Sequence, residues 1–188
     1  MRKRCLIVLA LVFTALSLCT QVSAQRSPDD WHTALLQQLP LLGHRNWILI
    51  VDSAYPLQVS PGVETIETNA SQLEVTRTVL EALDHTIHIQ PNVFLDAELP
   101  YVPAKDFAEV NNYRDSLKTT LAGHPVKSLP HEELLSKVSE AGKTYKVLIL
   151  KTNMAIPYTS VFLQLDCKYW GAASEQKLRQ AMKSSAKK

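Results

Sequence analysis

Cysteine and glycine are scarce in this sequence, and its net charge is small. Its 188 residues include three cysteines and five glycines, and 20 Lys and Arg stand against 18 Asp and Glu. It contains neither a glycine-rich phosphate loop nor a Gly-x-Ser-x-Gly nucleophile elbow, so phosphoryl transfer and serine hydrolysis find no support. A nearly balanced charge also lacks the basic footprint that binding to a nucleic-acid backbone requires. The sequence therefore predicts no nucleic-acid partner.

The amino terminus has the layout of a secretory signal peptide. Basic residues at 2–4 precede an apolar core over 6–18, and small residues at 22–24 form a cleavage site before Gln25. A transmembrane anchor is the alternative, but the apolar core is shorter than the roughly 20 residues that a spanning helix needs. We therefore predict a signal peptide over 1–24, a secreted or periplasmic location and no membrane association after cleavage.

Cleavage would leave one cysteine and a nearly neutral chain. Cys19 follows Leu18, where a lipoprotein signal needs a small residue, so lipid attachment is not predicted. Cys167 alone remains and cannot form an intramolecular disulfide. Three of the 20 basic residues leave with the signal peptide, so 17 remain against 18 acidic ones. The 164 residues that follow position 24 suit a single domain, which we place at 25–170, before a polar basic tail at 171–188.

Alternating strand-like and helical patterns predict a layered α/β domain. Ser71 to Glu74 forms a capping box for a helix over 72–83. The longest helix is predicted over 104–121, and Ser128 is predicted to cap the helix that follows it. Two further helices are predicted over 29–39 and 174–188. Strands are predicted over 46–51, 63–68, 86–89, 146–150 and 159–165, and the strand at 86–89 is predicted to resume at 93–95.

The most informative stretch joins Leu42-Gly43-His44 to an apolar run that ends on Asp52. A buried strand would leave Asp52 at its carboxyl end, where open α/β sheets form their ligand crevices. We expect the preceding loop to hold His44 within reach of this carboxylate. One segment would then offer an imidazole and a carboxylate, the two groups most often used for proton transfer near neutral pH.

Each candidate residue also has an ordinary structural explanation. His44 can be a plain loop residue, and Asp52 can serve a turn or a cap. His131 can be a solvated residue in the first turn of a helix. Tyr158 can pack its ring against the core while its hydroxyl meets water. No single residue therefore decides the function.

Two further patterns carry little weight. Asp84, His85 and His88 have the residue types of a metal site, but on a strand the two histidines would point to opposite faces. No metal site is therefore predicted. Asn69-Ala70-Ser71 matches a glycosylation sequon, whose use depends on the secretory pathway of the host.

Four short motifs occur in an order that resembles the RbsD/FucU family of D-ribose pyranase and L-fucose mutarotase. They are Leu42-Gly43-His44, Val51-Asp52-Ser53-Ala54-Tyr55-Pro56, Pro130-His131-Glu132-Glu133-Leu134 and Pro157-Tyr158-Thr159-Ser160-Val161-Phe162-Leu163. The similarity extends from about Leu35 to Leu165. Each motif is short, and their shared order and spacing carry the resemblance.

The resemblance implies a single-domain, three-layer α/β/α sandwich and a ring-like homo-oligomer with sites near subunit interfaces. It implies His44, Asp52 and His131 as catalytic residues and Tyr158 and Ser160 as substrate-binding residues. His44 would be the principal acid and base with Asp52 as its orienting partner, and His131 would be the second proton donor or a hydroxyl anchor. An exchange of roles between His44 and His131 fits the sequence equally well.

The implied activity is that of an isomerase, a mutarotase or pyranase that opens and closes the ring of a free monosaccharide without a cofactor or metal. Two departures from the family pattern keep a non-catalytic sugar- or polyol-binding protein as the alternative. Ser160 stands where the family usually has Asn, and Met154 stands where it has an acidic residue. An assembly protein without a ligand site is the third hypothesis.

Overall fold

The computed structural model describes residues 30–185. The helices are α1 Asp30–Gln38, α2 Gln72–Asp84, α3 Val110–Thr120, α4 His131–Ala141 and α5 Ala172–Ser185, and 3₁₀ turns lie at Leu39–Leu41 and Leu99–Tyr101. The strands are β1 Trp47–Val51, β2 Val63–Glu67, β3 Ile89–Asp96, β4 Val126–Leu129, β5 Val147–Lys151 and β6 Val161–Cys167. The predicted signal peptide and the last three residues of the tail lie outside the described residues. None of the described helices has the length and apolar character that crossing a membrane requires.

The six strands form one sheet in the order β2-β5-β1-β6-β3-β4. β6 is antiparallel to its neighbours β1 and β3, and the other neighbouring pairs are parallel. Five strands therefore end at one edge of the sheet, and β6 begins there. We call this the carboxyl edge. It is where α/β sheets usually form their ligand crevices.

Alternate residues of the central strands face two separate cores, which makes the domain three layers thick. On β1, Ile48 and Ile50 pack in the core that α1, α2 and α3 cover. Trp47, Leu49 and Val51 pack in the second core, together with side chains of α4. Because both faces are covered, all five residues of β1 are buried. The predicted single-domain α/β/α sandwich is confirmed.

The helix predicted over 104–121 begins later than the apolar spacing indicated. α3 starts at Val110, and turns occupy the six preceding residues. Phe107 packs against the core from those turns, so it fits the helical spacing without belonging to the helix. The 14-residue α5 is also longer than the 11-residue α3, and none of its residues is buried.

The start of α4 also differs from the prediction. Ser128 lies in β4, and Pro130 is the N-cap residue of α4. Both carboxylate oxygens of Glu98 accept a hydrogen bond from the His131 backbone N–H at 3.1 Å. A carboxylate from another segment therefore satisfies the helix start in place of Ser128. The capping box of α2 is present as predicted, since Ser71 Oγ accepts from Glu74 N–H at 3.3 Å.

The segment predicted as a strand over 86–89 bends before β3 begins at Ile89. β3 then continues through Pro91, which pairs with β6, whereas β4 pairs only from Val93 onward. Proline has no backbone N–H to donate, but β4 does not pair with β3 at Pro91, so no hydrogen bond between these strands is lost there.

The two histidines of this region make separate contacts. His85 Nδ1 lies 2.7 Å from the Glu81 carbonyl, and His88 Nε2 lies 3.1 Å from the Leu42 carbonyl. Over residues 30–185, no group of three or more His, Cys, Asp or Glu is arranged to hold a metal ion.

Candidate functional site

A buried carboxylate and a partly exposed imidazole meet at the carboxyl edge. Asp96 ends β3 and is 1% exposed, and His131 opens α4 with a side chain that is 25% exposed. Asp96 Oδ1 and His131 Nδ1 are 3.0 Å apart. Asp96 Oδ2 is buried and has no hydrogen-bond partner within the described part of the chain. The carboxylate therefore depends on His131 as its polar partner at this point.

Burial raises the pKa of Asp96 to about 6. The hydrogen bond and the charge of His131 lower this pKa, whereas the charges of Glu98 and Asp52 raise it. A carboxyl group that titrates near neutral pH beside an imidazole is suited to general acid and base catalysis. Because Nδ1 of His131 is engaged by Asp96, Nε2 is the ring nitrogen left for proton exchange with a ligand.

The rings of Tyr158 and His131 pack against each other in an edge-to-face arrangement. The two ring centroids are 5.4 Å apart, and the ring planes cross at 86°. The backbone of Tyr158 is left-handed with φ 59°, a conformation that costs a residue with a side chain about 1–2 kcal/mol. Strained residues of this kind cluster at functional sites. With 38% of its surface exposed, Tyr158 is placed to contact a ligand beside the imidazole.

This strain makes a testable prediction about stability. We expect Tyr158→Gly to be about 1 kcal/mol more stable than Tyr158→Ala, because only glycine adopts a positive φ without cost. Both variants lack the ring, so the comparison isolates the backbone. Chemical denaturation of the two variants measures the difference. At ordinary positions alanine is more stable than glycine. If Tyr158→Ala is the more stable variant here as well, the left-handed conformation is absent.

Asp52 and Ser160 meet at the same edge. Asp52 Oδ1 accepts a hydrogen bond from the Ala54 N–H at 2.9 Å, so the carboxylate closes the turn after β1. Asp52 Oδ2 accepts from the buried Ser160 hydroxyl at 3.4 Å. Asp52 therefore serves a turn and faces the site as well. The structure brings together Asp52, His131, Tyr158 and Ser160.

His44 is not with them within one chain. It lies in the turn before β1, whereas Asp52 follows the other end of this strand, and the five residues from Trp47 to Val51 alone span roughly 13 Å. The expectation that the loop holds His44 within reach of Asp52 of the same chain is wrong, because an extended strand keeps its two ends apart.

The turn itself presents His44 outward. The Asn46 N–H donates to the Gly43 carbonyl at 3.2 Å, and Asn46 Oδ1 accepts from the Gly43 N–H at 2.6 Å. Arg45 takes a positive φ of 72° to complete the turn. His44, between them, is exposed.

A model of the RbsD / FucU transport protein family matches residues 30–167, which is more than half of the chain. This chain belongs to the RbsD/FucU family. No curated protein matches it. Among solved structures it is similar to RbsD from Bacillus subtilis in complex with D-ribose, with 20% identity, 71% of this chain and 92% of that chain covered and a TM-score of 0.52.

Two other solved structures are less similar to this chain. FucU from Bifidobacterium longum is 18% identical over 71% of this chain and 94% of its own, with a TM-score of 0.47. The fucose mutarotase from Streptococcus pneumoniae, in complex with L-fucose, is 18% identical over 74% of this chain and 92% of its own, with a TM-score of 0.45. At 20% identity, the similarity to RbsD shows the fold alone. This fold is the RbsD-like α/β fold that the sequence predicted.

Sequence reasoning missed Asp96 in this RbsD/FucU chain. The signal was available, because Val93-Phe94-Leu95 is an apolar run that ends on an acidic residue, as the run before Asp52 does. It was obscured by Pro91, which interrupts the strand pattern. The orienting role predicted for Asp52 toward His44 has its counterpart in the contact of Asp96 with His131.

Proposed function

We propose that this protein is a monosaccharide mutarotase or pyranase, which interconverts the cyclic forms of a free aldose. The observation that carries the proposal is the contact of Asp96 with His131 at 3.0 Å, with the Tyr158 ring beside it. Membership of the RbsD/FucU family also supports the proposal, because RbsD from Bacillus subtilis has been solved in complex with D-ribose.

Ring opening needs two proton transfers. A base removes the proton of the anomeric hydroxyl, and an acid protonates the ring oxygen as the bond from this oxygen to the anomeric carbon breaks. His131 Nε2 makes one of the transfers, while Asp96 orients the imidazole and stabilises its protonated form. Closure on the other face of the carbonyl gives the other anomer, and closure through another hydroxyl changes the ring size. Tyr158 and Asp52 bind sugar hydroxyls, and the buried Ser160 holds the Asp52 carboxylate through its hydroxyl.

The second proton-transfer group in this proposal is His44 of a neighbouring copy. Its turn is ordered and its side chain points outward, so a homo-oligomer can deliver it to the carboxyl edge of the adjacent subunit. His44→Ala is then expected to abolish catalysed exchange and to stay folded, since His44 is exposed.

Mixing of two inactive variants tests this arrangement. Subunits with His44→Ala and subunits with His131→Asn are co-refolded in equal amounts, and about a quarter of the sites regain both intact residues if they lie on different copies. Recovery of activity on mixing, with none in either parent, is the expected result. If His44→Ala alone retains wild-type exchange, His44 has no part in the reaction.

Exchange NMR on a panel that includes D-ribose and L-fucose tests the proposed activity. Faster exchange between anomers than in buffer supports the enzyme, and the uncatalysed rate in water is subtracted. Binding detected by saturation transfer without faster exchange supports the alternative, a non-catalytic sugar- or polyol-binding protein. The alternative is favoured by Ser160, whose short side chain is buried against Asp52. If the protein neither binds the sugars nor accelerates their exchange, both functions are contradicted and the assembly hypothesis remains.

We also propose that the protein is exported and loses residues 1–24. The support is the sequence pattern of the amino terminus. Mass spectrometry of the protein recovered from its native source is expected to show Gln25 as the first residue. A chain that keeps residues 1–24 would contradict export by this route.

A further inference from the structure

The peptide carbonyl of Thr159 lies between the two predicted ligand-binding residues, Tyr158 and Ser160, and accepts hydrogen bonds from two buried side chains. The Tyr113 hydroxyl on α3 donates to it at 2.7 Å. The Gln72 Nε2 at the start of α2 also donates to it. Tyr113 is 4% exposed and Gln72 is fully buried. Two helices thus hold one peptide group from behind the site.

The orientation of Gln72 is set by a third buried residue. The Thr152 hydroxyl lies 3.1 Å from Gln72 Oε1 and 2.8 Å from the carbonyl of Val51, the residue before Asp52. Because the hydroxyl can donate to Oε1, the amide group of Gln72 directs its Nε2 toward Thr159. The network therefore links the end of β1 with the segment that carries Tyr158.

The same network can outweigh the strain at Tyr158. A left-handed backbone raises the unfolding equilibrium constant roughly 5- to 30-fold. Each buried donor that loses its partner raises it by roughly 5- to 150-fold. If the chain relaxed at Tyr158 and turned the Thr159 carbonyl away, the Tyr113 hydroxyl would lose its acceptor, and the Gln72 amide would keep only the longer contact with the Ile50 carbonyl at 3.5 Å. Keeping the strained conformation is therefore the less costly arrangement.

We propose that Gln72 and Tyr113 are positioning residues that hold Tyr158 left-handed, so that its ring stays against His131 and Ser160 stays beside Asp52. Neither residue touches the reacting atoms in this scheme. The functional part of the inference rests on the proposed sugar site, whereas the conformational part does not.

Two substitutions remove the donors with little change in volume. Tyr113→Phe deletes the hydroxyl and keeps the ring, and Gln72→Met keeps the length of the side chain. Thr76→Val is the matched control, because the Thr76 hydroxyl is buried and donates to the Gln72 backbone carbonyl at 2.6 Å, away from Thr159.

The first measurement is the nuclear Overhauser effect between the ring protons of His131 and Tyr158, and the second is the Kd for D-ribose and L-fucose. The double variant is expected to lose the Overhauser effect and to bind the sugars about tenfold or more weakly. The pH dependence of residual exchange should stay as in the wild type, because the contact of Asp96 with His131 is untouched. The Thr76→Val variant should match the wild type in every measurement.

An intact Overhauser effect and unchanged affinity in a folded double variant would overturn the inference. If the double variant does not fold, the two single variants are measured in its place. An unchanged Overhauser effect and unchanged affinity in both would overturn the inference. If the wild type neither binds nor interconverts the sugars, the proposed function fails, while the Overhauser effect still decides whether Gln72 and Tyr113 hold Tyr158.

Discussion

Replacement of His131 by Asn is expected to reduce catalysed anomer exchange about 10²- to 10⁴-fold, the range that a general acid and base contributes. Asn can accept or donate a hydrogen bond, but it cannot exchange a proton near neutral pH. The fold should persist, because the side chain is 25% exposed and the helix start is held through the backbone N–H by Glu98. Magnetisation exchange between the anomers of D-ribose, corrected for buffer, measures the loss.

His85→Asn is the control for this substitution. His85 is exposed at the end of α2, and its ring contacts only the carbonyl of Glu81 among the polar atoms of residues 30–185. Exchange should be unchanged in this variant. Wild-type exchange by His131→Asn would remove the imidazole from the mechanism, whatever the sugar.

Substitution of Asp96 by Asn is expected to stabilise the protein above pH 7 while it lowers activity. The pKa of Asp96 is about 6 in the folded chain, against an ordinary value of 3.8 for an aspartic acid side chain, so the folded state binds the proton more tightly than the unfolded state. The free energy of unfolding therefore falls as the pH rises through about 4 to 6, by roughly 3 kcal/mol in total. Asn carries no charge to bury, and its Oδ1 can still accept from His131 Nδ1–H.

The stability difference between Asp96→Asn and the wild type should accordingly depend on pH. Denaturation is expected to show a gain of about 2–3 kcal/mol at pH 8 that disappears near pH 4. Asp106→Asn, an exposed acidic residue in the turns before α3, is the control and should show no such gain. A variant that is less stable than the wild type at pH 8 would show that the buried carboxylate contributes net stability, contrary to this expectation.

Catalysed exchange should fall about 10²-fold or more in Asp96→Asn, because Asn cannot stabilise the imidazolium form of His131. A more stable but less active variant is the pattern of a site that retains a costly buried charge for function. Unchanged exchange would assign Asp96 a structural role only.

The sequence predicted most of the elements that build the site. The run from Asn46 to Val51 indicated a strand buried on both faces, and the structure has β1 with five buried residues. Ser71 and Glu74 indicated the start of α2. These features are local, since each depends on side-chain periodicity or on contacts within one turn. The 86–89 and 104–121 predictions were wrong where apolar spacing alone defined the element.

The composition of the site was only partly predictable. Asp52 was selected from its place at the end of an apolar run, and His131, Tyr158 and Ser160 were selected from the family resemblance. The structure brings all four to one edge. Asp96 and the network behind Thr159 were not selected. Pro91 obscured the strand that ends on Asp96, and the buried polar residues of the network leave no periodic signal, because their value depends on partners that are far away in the sequence.

The sequence by itself determined most of the strands and helices, although not β4, and which polar residues stand at their ends. Only the tertiary structure decided which of those ends meet. Asp96 and His131 are separated by 35 positions and lie 3.0 Å apart, because β3 and β4 are parallel neighbours and α4 begins directly beyond β4. His44 and Asp52 are close along the chain and far apart in space, because a rigid extended strand lies between them.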